Sequence, residues 1–113
     1  ILLFLPGNDL FVTSDNQGAL KIWAARTCDQ LVQFVLPAPV TSIAAHPINK
    51  SLVVSSEDGR IYFYSVKSLH CFGQMKLRDD NFPTTLEFSK DGTALIGGTN
   101  NGTVFVITST NWD

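Results

Sequence analysis

Short apolar runs alternate with short polar turns along the whole chain. In the clearest case the run Leu52–Ser55 leads into the turn Glu57-Asp58-Gly59, and a second run, Ile61–Tyr64, follows. An Asp-Gly pair between two apolar runs is a strong hairpin signal, because glycine accepts a positive φ without a Cβ clash. The pattern therefore predicts an antiparallel strand pair at the centre of the chain.

The same motif, an apolar run followed by a turn with glycine and a second apolar run, occurs three times at nearly constant spacing. The turn glycines are 41 and then 43 residues apart, and each lies five residues before a large residue that closes the following strand. The glycines are Gly18, Gly59 and Gly102, and the closing residues are Trp23, Tyr64 and Ile107. A period of about 40 residues made of short strands is typical of repeated four-stranded sheets.

Extended to the whole chain, the pattern predicts about eleven short strands and no helix, since no stretch of ten or more residues has helical spacing. The strands fall into three units, 1–39, 40–80 and 81–113, the first of which can lack part of its first strand and the last of which lacks its outer strand. Two prolines, Pro37 and Pro39, interrupt any ladder between the first two units. In the third unit Asp91-Gly92 forms a second type of tight turn, with the glycine at positive φ.

These features resemble the WD-repeat family of β-propellers over nearly the whole chain. The turn ending in Asp91-Gly92 and the turn at Asp58-Gly59 match the family, and Trp23 stands where its blades close. Gln17-Gly18 and Asn101-Gly102 depart from the pattern, and the Gly-His that opens a repeat is missing from both visible links. The resemblance implies an all-β fold, a partial propeller of about three four-stranded antiparallel blades cut from a longer protein. It also implies that the family's Trp–Ser–His–Asp hydrogen-bond network is incomplete here.

The composition of the chain argues against two classes of function, nucleic-acid binding and membrane spanning. The chain has 113 residues, of which 44% are hydrophobic and 16% charged, so it has enough apolar residues to fold. A net charge of −2 offers no basic patch for nucleic acid. No apolar run approaches the ~20 residues of a membrane helix. We therefore expect neither nucleic acid as a partner nor a membrane span.

The reactive side chains are few and scattered. His46 and His70 have no second ligand at metal spacing, and no serine stands in a nucleophile elbow. We therefore expect no catalytic residue, no metal and no cofactor. Cys28 and Cys71 occupy similar places in neighbouring units, where free thiols and a disulfide are both alternatives, the former being favoured.

Turns that share a rim form the candidate partner surface. In a propeller the Asp-Gly turns and the links between blades lie at one end, which brings together the residues Asp15, Glu57, Asp58, Arg78, Asp79, Asp80 and Phe82. Such an acidic rim could receive a basic peptide or tail. The alternative is a merely solvated face, with Asp58 acting as a turn residue that accepts backbone N–H groups.

The resemblance implies a non-catalytic protein–protein interaction scaffold. Its expected partners are other proteins or peptides and the remaining blades of the same propeller, and its expected location is the cytoplasm, including the cytoskeleton or cilium. One alternative is an architectural component of a large assembly, such as a ciliary WD-repeat protein. Another is the propeller portion of a multidomain enzyme, for which the strands nearest the axis offer only Glu87.

Overall fold

A computed structural model of the chain describes residues 1–7, 9–48, 51–68, 70–77 and 81–108. Within these ranges the chain forms eleven strands and no helix. The strands are β1 Leu2–Phe4, β2 Leu10–Ser14, β3 Ala19–Ala24, β4 Gln30–Val35, β5 Val40–Ala45, β6 Ser51–Ser56, β7 Arg60–Ser65, β8 His70–Lys76, β9 Pro83–Phe88, β10 Ala94–Thr99 and β11 Val104–Thr108.

The strands form three separate antiparallel sheets, each built from consecutive strands. Blade 1 has the order β1-β2-β3-β4, blade 2 has β5-β6-β7-β8, and blade 3 has β9-β10-β11. The prediction of an all-β fold of stacked blades is confirmed. Each sheet lies within one predicted unit, while the unit boundaries themselves stay a prediction, and residues 109–113, where an outer strand of blade 3 would begin, lie outside the described part.

The tight turns have the predicted backbone. φ is +91° at Gly18, +85° at Gly59, +75° at Gly92 and +89° at Gly102, so all four glycines adopt the left-handed conformation. In the central hairpin Ser55 faces Ile61 across the turn, and the ladder continues to Ser51 opposite Ser65. Local turn chemistry therefore sets the register of each hairpin.

Blade 2 is buried on both faces. Along β6 and β7, the side chains of Leu52, Val54, Tyr62 and Tyr64 join the apolar cluster shared with blade 1. The intervening residues Val53, Ile61 and Phe63 join the cluster shared with blade 3. This alternation explains why β7 is apolar at nearly every position, as the stacked arrangement predicts.

The two outer faces of the stack are different. On β11, Val104 is 72% exposed and Val106 is 58% exposed, because no described residue packs against that side of blade 3. The apolar pattern of β11 therefore gives burial on one face only. We call the side of a blade that faces the next blade in chain order its leading face, and the opposite side its trailing face.

Candidate functional site

Hairpin turns and links between blades meet at one end of the stack. The N–H of Leu36 donates to Gly18 O at 2.9 Å, and the N–H of Leu77 donates to Gly59 O at 2.9 Å. The N–H of Glu57 donates to Pro39 O at 2.9 Å, which ties the second hairpin to the first link. We call this end, formed by residues 15–18, 36–39, 57–59, 77, 81–82 and 100–103, the hairpin rim.

The third blade joins the hairpin rim through Phe82. The N–H of Asn100 donates to Phe82 O at 3.1 Å, and the N–H of Phe82 donates to Asn100 Oδ1 at 2.9 Å. Phe82 is half-buried, so part of its ring faces solvent beside the last hairpin turn. In each of the three blades, backbone hydrogen bonds thus join the hairpin turn at the rim to an adjacent link.

Asp58 acts as a turn residue within its own hairpin. Its Oδ1 accepts the hydroxyl of Ser56 and, at 3.2 Å, the N–H of Arg60. The Arg60 Nε lies 3.9 Å from the other carboxylate oxygen, an exposed pair that contributes little to stability. The neighbouring residue Glu57 is exposed, and its carboxylate takes no part in the turn contacts of Asp58 given above.

Asp15 has the same role in blade 1. Its Oδ1 accepts the N–H groups of Gln17 at 2.8 Å and Ala19 at 3.0 Å. These backbone donors, that of Gln17 first, favour the carboxylate and hold the pKa of Asp15 below its usual value. Asp15 therefore stays charged while it caps the turn.

The described part of the hairpin rim is mildly acidic. Asp15, Glu57 and Asp58 lie there, and Arg60 follows directly at the start of β7. Three further predicted members, Arg78, Asp79 and Asp80, lie outside the described residues. The contacts through Gly18, Gly59 and Phe82 bring the two described turns and the second link to one end of the molecule. Binding of a partner at this rim stays a prediction.

The closing residues of the strands lie on trailing faces. The indole N–H of Trp23 donates to Thr13 Oγ1 at 3.0 Å, so one bond of the Trp–Ser/Thr type is present although the network as a whole was expected to be incomplete. Tyr64 replaces tryptophan in blade 2 and packs against Phe34 of blade 1 at 4.4 Å between ring centroids. Burial raises the pKa of the Tyr64 hydroxyl, which stays protonated.

The opposite end holds a contact that the sequence reasoning missed. His46, only 3% exposed, lies with its Nε2 2.9 Å from Gly92 O, while its Nδ1 accepts the N–H of Ile48 at 3.1 Å. This arrangement requires the neutral ring with the proton on Nε2, and it links blade 2 to blade 3. Its only sequence signal was the placement of both residues in turns at the same end.

The strands closest to the axis line an open cleft of about 500 Å³. Glu87 and Lys90 contribute charges to it, and its other walls are apolar segments of β1, β5 and β9. Among the residues described, no three His, Cys, Asp or Glu side chains lie close enough together to hold a metal ion. Cys28 and Cys71 are exposed and are not joined in a disulfide in this structure.

Comparison with known proteins gives one family match. Residues 30–65 match the family described as WD domain, G-beta repeat. The matched segment begins at β4 in blade 1 and ends with β7 in blade 2, so it joins two blades through the first link. No helix in the described part of the chain has the length and apolarity needed to cross a membrane.

Three curated proteins are similar to most of this chain. Target of rapamycin complex subunit wat1 of Schizosaccharomyces pombe is 24% identical over 94 residues, which cover 83% of this chain and 30% of that protein. Target of rapamycin complex subunit LST8 of Saccharomyces cerevisiae is 27% identical over 103 residues, which cover 91% of this chain and 34% of that protein. WD repeat-containing protein 55 homolog of Drosophila virilis is 24% identical over 104 residues, which cover 91% of this chain and 20% of that protein. The chain spans about a third or less of the length of these relatives.

Proposed function

We propose that this chain, which is similar to WD-repeat proteins, forms part of a non-catalytic scaffold that binds other proteins. The observation that carries this proposal is the hairpin rim, where backbone hydrogen bonds join each hairpin turn to an adjacent link while the side chains of Asp15 and Glu57 are exposed. Rigid sheets that present loops at one end are suited to recognition. Two of the relatives are named as subunits of a protein complex, which supports a role in an assembly.

The proposed partner is a basic peptide or tail that meets the hairpin rim. Asp15 and Glu57 are exposed there, and Asp58 is partly so, with Arg60 as the neighbouring base. Complementary charge steers association and fixes register more than it adds affinity. A solvated rim without a partner is the alternative, and it predicts that no substitution at these positions changes binding.

Two substitutions make the charge of the hairpin rim less negative while keeping the turn. Asp58→Asn keeps an acceptor oxygen, and Asn101 at the equivalent place in blade 3 demonstrates that an amide suffices, since its Oδ1 accepts the N–H of Thr103 at 3.3 Å. Glu57→Lys reverses an exposed charge. Affinity capture by the complete protein, followed by mass spectrometry, should lose its basic partners in the double variant. Asp91→Asn at the opposite end is the matched control.

The outcome separates the two readings of the rim. Loss of captured proteins in the rim variant, with the melting temperature unchanged and the Asp91→Asn control normal, supports the proposal. Unchanged capture in both variants leaves the rim as a solvated surface and removes it as the binding site.

The finer roles are also proposals. We propose as an alternative an architectural role in a large assembly, which is supported by the two relatives named as complex subunits. A ciliary assembly stays a proposal that rests on the sequence resemblance alone. A place in a multidomain enzyme would need convergent polar groups at the axis, where the described cleft offers Glu87, Ser89 and Lys90. We further propose that other blades of the longer protein cover the two outer faces and that the protein is cytoplasmic, a location compatible with exposed thiols.

A further inference from the structure

A small cavity lies between blades 1 and 2, at the end of the stack opposite the hairpin rim. Its lining residues come from the turn between β1 and β2, from the turn between β5 and β6, and from the segment that follows β7. Its volume is about 50 Å³, several times the roughly 10–15 Å³ that a single water needs. We call it the blade 1–2 cavity.

The wall of the blade 1–2 cavity is mostly apolar. Leu5 and Val66 are buried in it, and Leu10 is half-buried. Ile48 also lines the cavity but is 70% exposed, so its side chain stands at the opening. The cavity therefore offers an apolar surface that a side chain can reach from solvent.

Asp9 is the one charged residue among those that line the cavity. It is exposed, so it stands at the opening as Ile48 does, and within the described part of the chain its carboxylate has no ion pair and no hydrogen bond. Its carbonyl accepts the N–H of Ala25 at 2.8 Å, which fixes the turn that carries it. An apolar cavity with one carboxylate at its opening is complementary to a side chain that has an aliphatic stem and a cationic tip.

The turns at this end repeat from blade to blade. The N–H of Leu5 donates to Leu10 O at 3.0 Å, and the N–H of His46 donates to Ser51 O at 3.0 Å. Leu5 and His46 are 41 residues apart, which is also the spacing of the turn glycines of blades 1 and 2. Leu5 therefore holds in blade 1 the position that His46 holds in blade 2.

The interface between blades 2 and 3 shows what fills the equivalent place. There the His46 ring lies with its Nε2 2.9 Å from Gly92 O and with its edge toward Phe88, at 5.0 Å between ring centroids. Leu5 has no nitrogen donor, and the blade 1–2 cavity lies beside it. One interface is thus closed by a nitrogen-bearing side chain of the chain itself, while the other has room for such a side chain from outside.

We propose that the blade 1–2 cavity binds a lysine or arginine side chain from a basic segment of a partner protein. The aliphatic stem packs against Leu5, Leu10 and Ile48, and the cation pairs with the Asp9 carboxylate. Both walls of the site belong to blades 1 and 2, and the site lies at the opposite end from the hairpin rim. A partner bound here leaves the rim free, so this proposal does not depend on binding at the rim.

Methyl NMR spectroscopy of the complete protein, labelled at its Ile, Leu and Val methyl groups, tests the proposal directly. The probe is a capped Gly-Gly-Lys-Gly-Gly peptide, and the matched probe carries norleucine, which keeps the aliphatic stem but lacks the ammonium group. The lysine peptide should shift the methyl signals of the lining residues Leu5, Leu10, Ile48 and Val66. It should bind about threefold to fivefold more tightly than the norleucine peptide, as expected of one exposed ion pair.

Two substitutions at exposed positions separate the charge from the stem. Asp9→Asn should remove the preference for lysine, so that the two peptides bind equally. Ile48→Ala should weaken both peptides by the same factor, roughly threefold, because it removes apolar surface from the opening. Asp29→Asn is the matched control, since Asp29 is an exposed carboxylate at the same end that does not line the cavity, and it should bind both peptides as the native protein does.

The chain's own Lys50, which lies outside the described residues, is the alternative source of the cation. In that case the native protein would not bind the lysine peptide whereas Lys50→Ala would, and a partner's side chain would be ruled out. Equal binding of the two peptides by the native protein, or a preference for lysine that survives in Asp9→Asn, also overturns the proposal. The rim variant Glu57→Lys should bind the lysine peptide normally, and a loss there would contradict a separate site.

Discussion

The indole N–H of Trp23 donates to Thr13 Oγ1 at 3.0 Å, on the trailing face of blade 1. Thr13 faces Lys21 in the β2–β3 ladder, so the bond crosses the hairpin diagonally and ties the closing residue of one strand to its neighbour. It is a local bond, and its partners are only partly buried.

A double-mutant cycle measures the strength of this bond. Trp23→Phe and Thr13→Val each remove one partner, and their coupling in urea denaturation should be about 1 kcal/mol. The Tyr64→Phe variant, in a blade where valine occupies the position of Thr13, should have no coupling with Thr13→Val. A Trp23–Thr13 coupling near zero would mean that solvent replaces the bond at no cost.

Gly18 and Gly102 have nearly the same φ but different surroundings, so alanine at each position distinguishes the cost of backbone strain from the cost of close packing. At Gly18 an added Cβ would meet Leu36 O at 2.5 Å and Ala38 O at 2.8 Å, whereas at Gly102 it would meet nothing within 4 Å. Gly102→Ala should therefore lower the free energy of unfolding by about 1 kcal/mol, the cost of a left-handed alanine. Gly18→Ala should lower it by about 3 kcal/mol, because the backbone of the link must also move.

Urea denaturation of both variants checks this difference. Equal losses would show that the contact between the first hairpin and the first link is not maintained in solution.

Tyr62 is a buried residue whose hydroxyl has no hydrogen-bond partner within the described part of the chain. Removing that hydroxyl should leave stability unchanged or raise the free energy of unfolding by up to about 1 kcal/mol, since the buried oxygen is already unpaired. Thermal and urea unfolding of Tyr62→Phe measure the effect. Val54→Ala in the same cluster should instead cost about 2 kcal/mol, which confirms that the assay reports on this interface. A clear loss in Tyr62→Phe would reveal a partner for the hydroxyl.

Asp91 should make stability depend on pH in the acid range. The Ser89 hydroxyl, followed by the N–H and hydroxyl of Thr93, lowers the pKa of Asp91 from 3.8 to about 2. A carboxyl with a lowered pKa stabilises the folded state above its ordinary value, and this contribution is lost as the pH falls from 3.8 through about 2. The urea midpoint of the native chain should therefore fall more steeply across this window than that of Asp91→Asn.

If the urea midpoints of the native chain and of Asp91→Asn fell equally with pH, the hydrogen bonds assigned to Asp91 would be contradicted. Asp15→Asn is a second variant to compare with the native chain, because the pKa of Asp15 is lowered chiefly by the backbone N–H of Gln17 rather than by a hydroxyl.

The strands and hairpins could be predicted from the sequence because their signals are local. The glycines at 18, 59 and 102 fix turns of a few residues, and each turn sets the register of the two strands beside it. The shared hairpin rim was expected from the repeat, and its use as a binding surface stays a prediction. Backbone hydrogen bonds join Gly18 O to Leu36 and Gly59 O to Leu77.

The contacts between blades could not be predicted in the same way. His46 and Gly92 are 46 residues apart, and no local pattern reports that the carbonyl of one turn meets the ring of another. Strands β11 and β7 have similar apolar patterns in the sequence, yet Val104 is exposed and Ile61 is buried. The difference arises because a neighbouring sheet covers Ile61, which the pattern of a single strand does not report. Asp58 accepts hydrogen bonds from Ser56 and Arg60 within its own turn. Its role toward a partner stays a prediction, because it depends on molecules outside the chain.

The burial of every residue of β6, from Ser51 to Ser56, has a consequence for how the molecule opens. Amide hydrogens of this strand can reach water only when an adjacent blade detaches, so they should exchange with deuterium last, while β1 and β11 fray independently. The hierarchy of openings thus runs from the two ends of the chain inward.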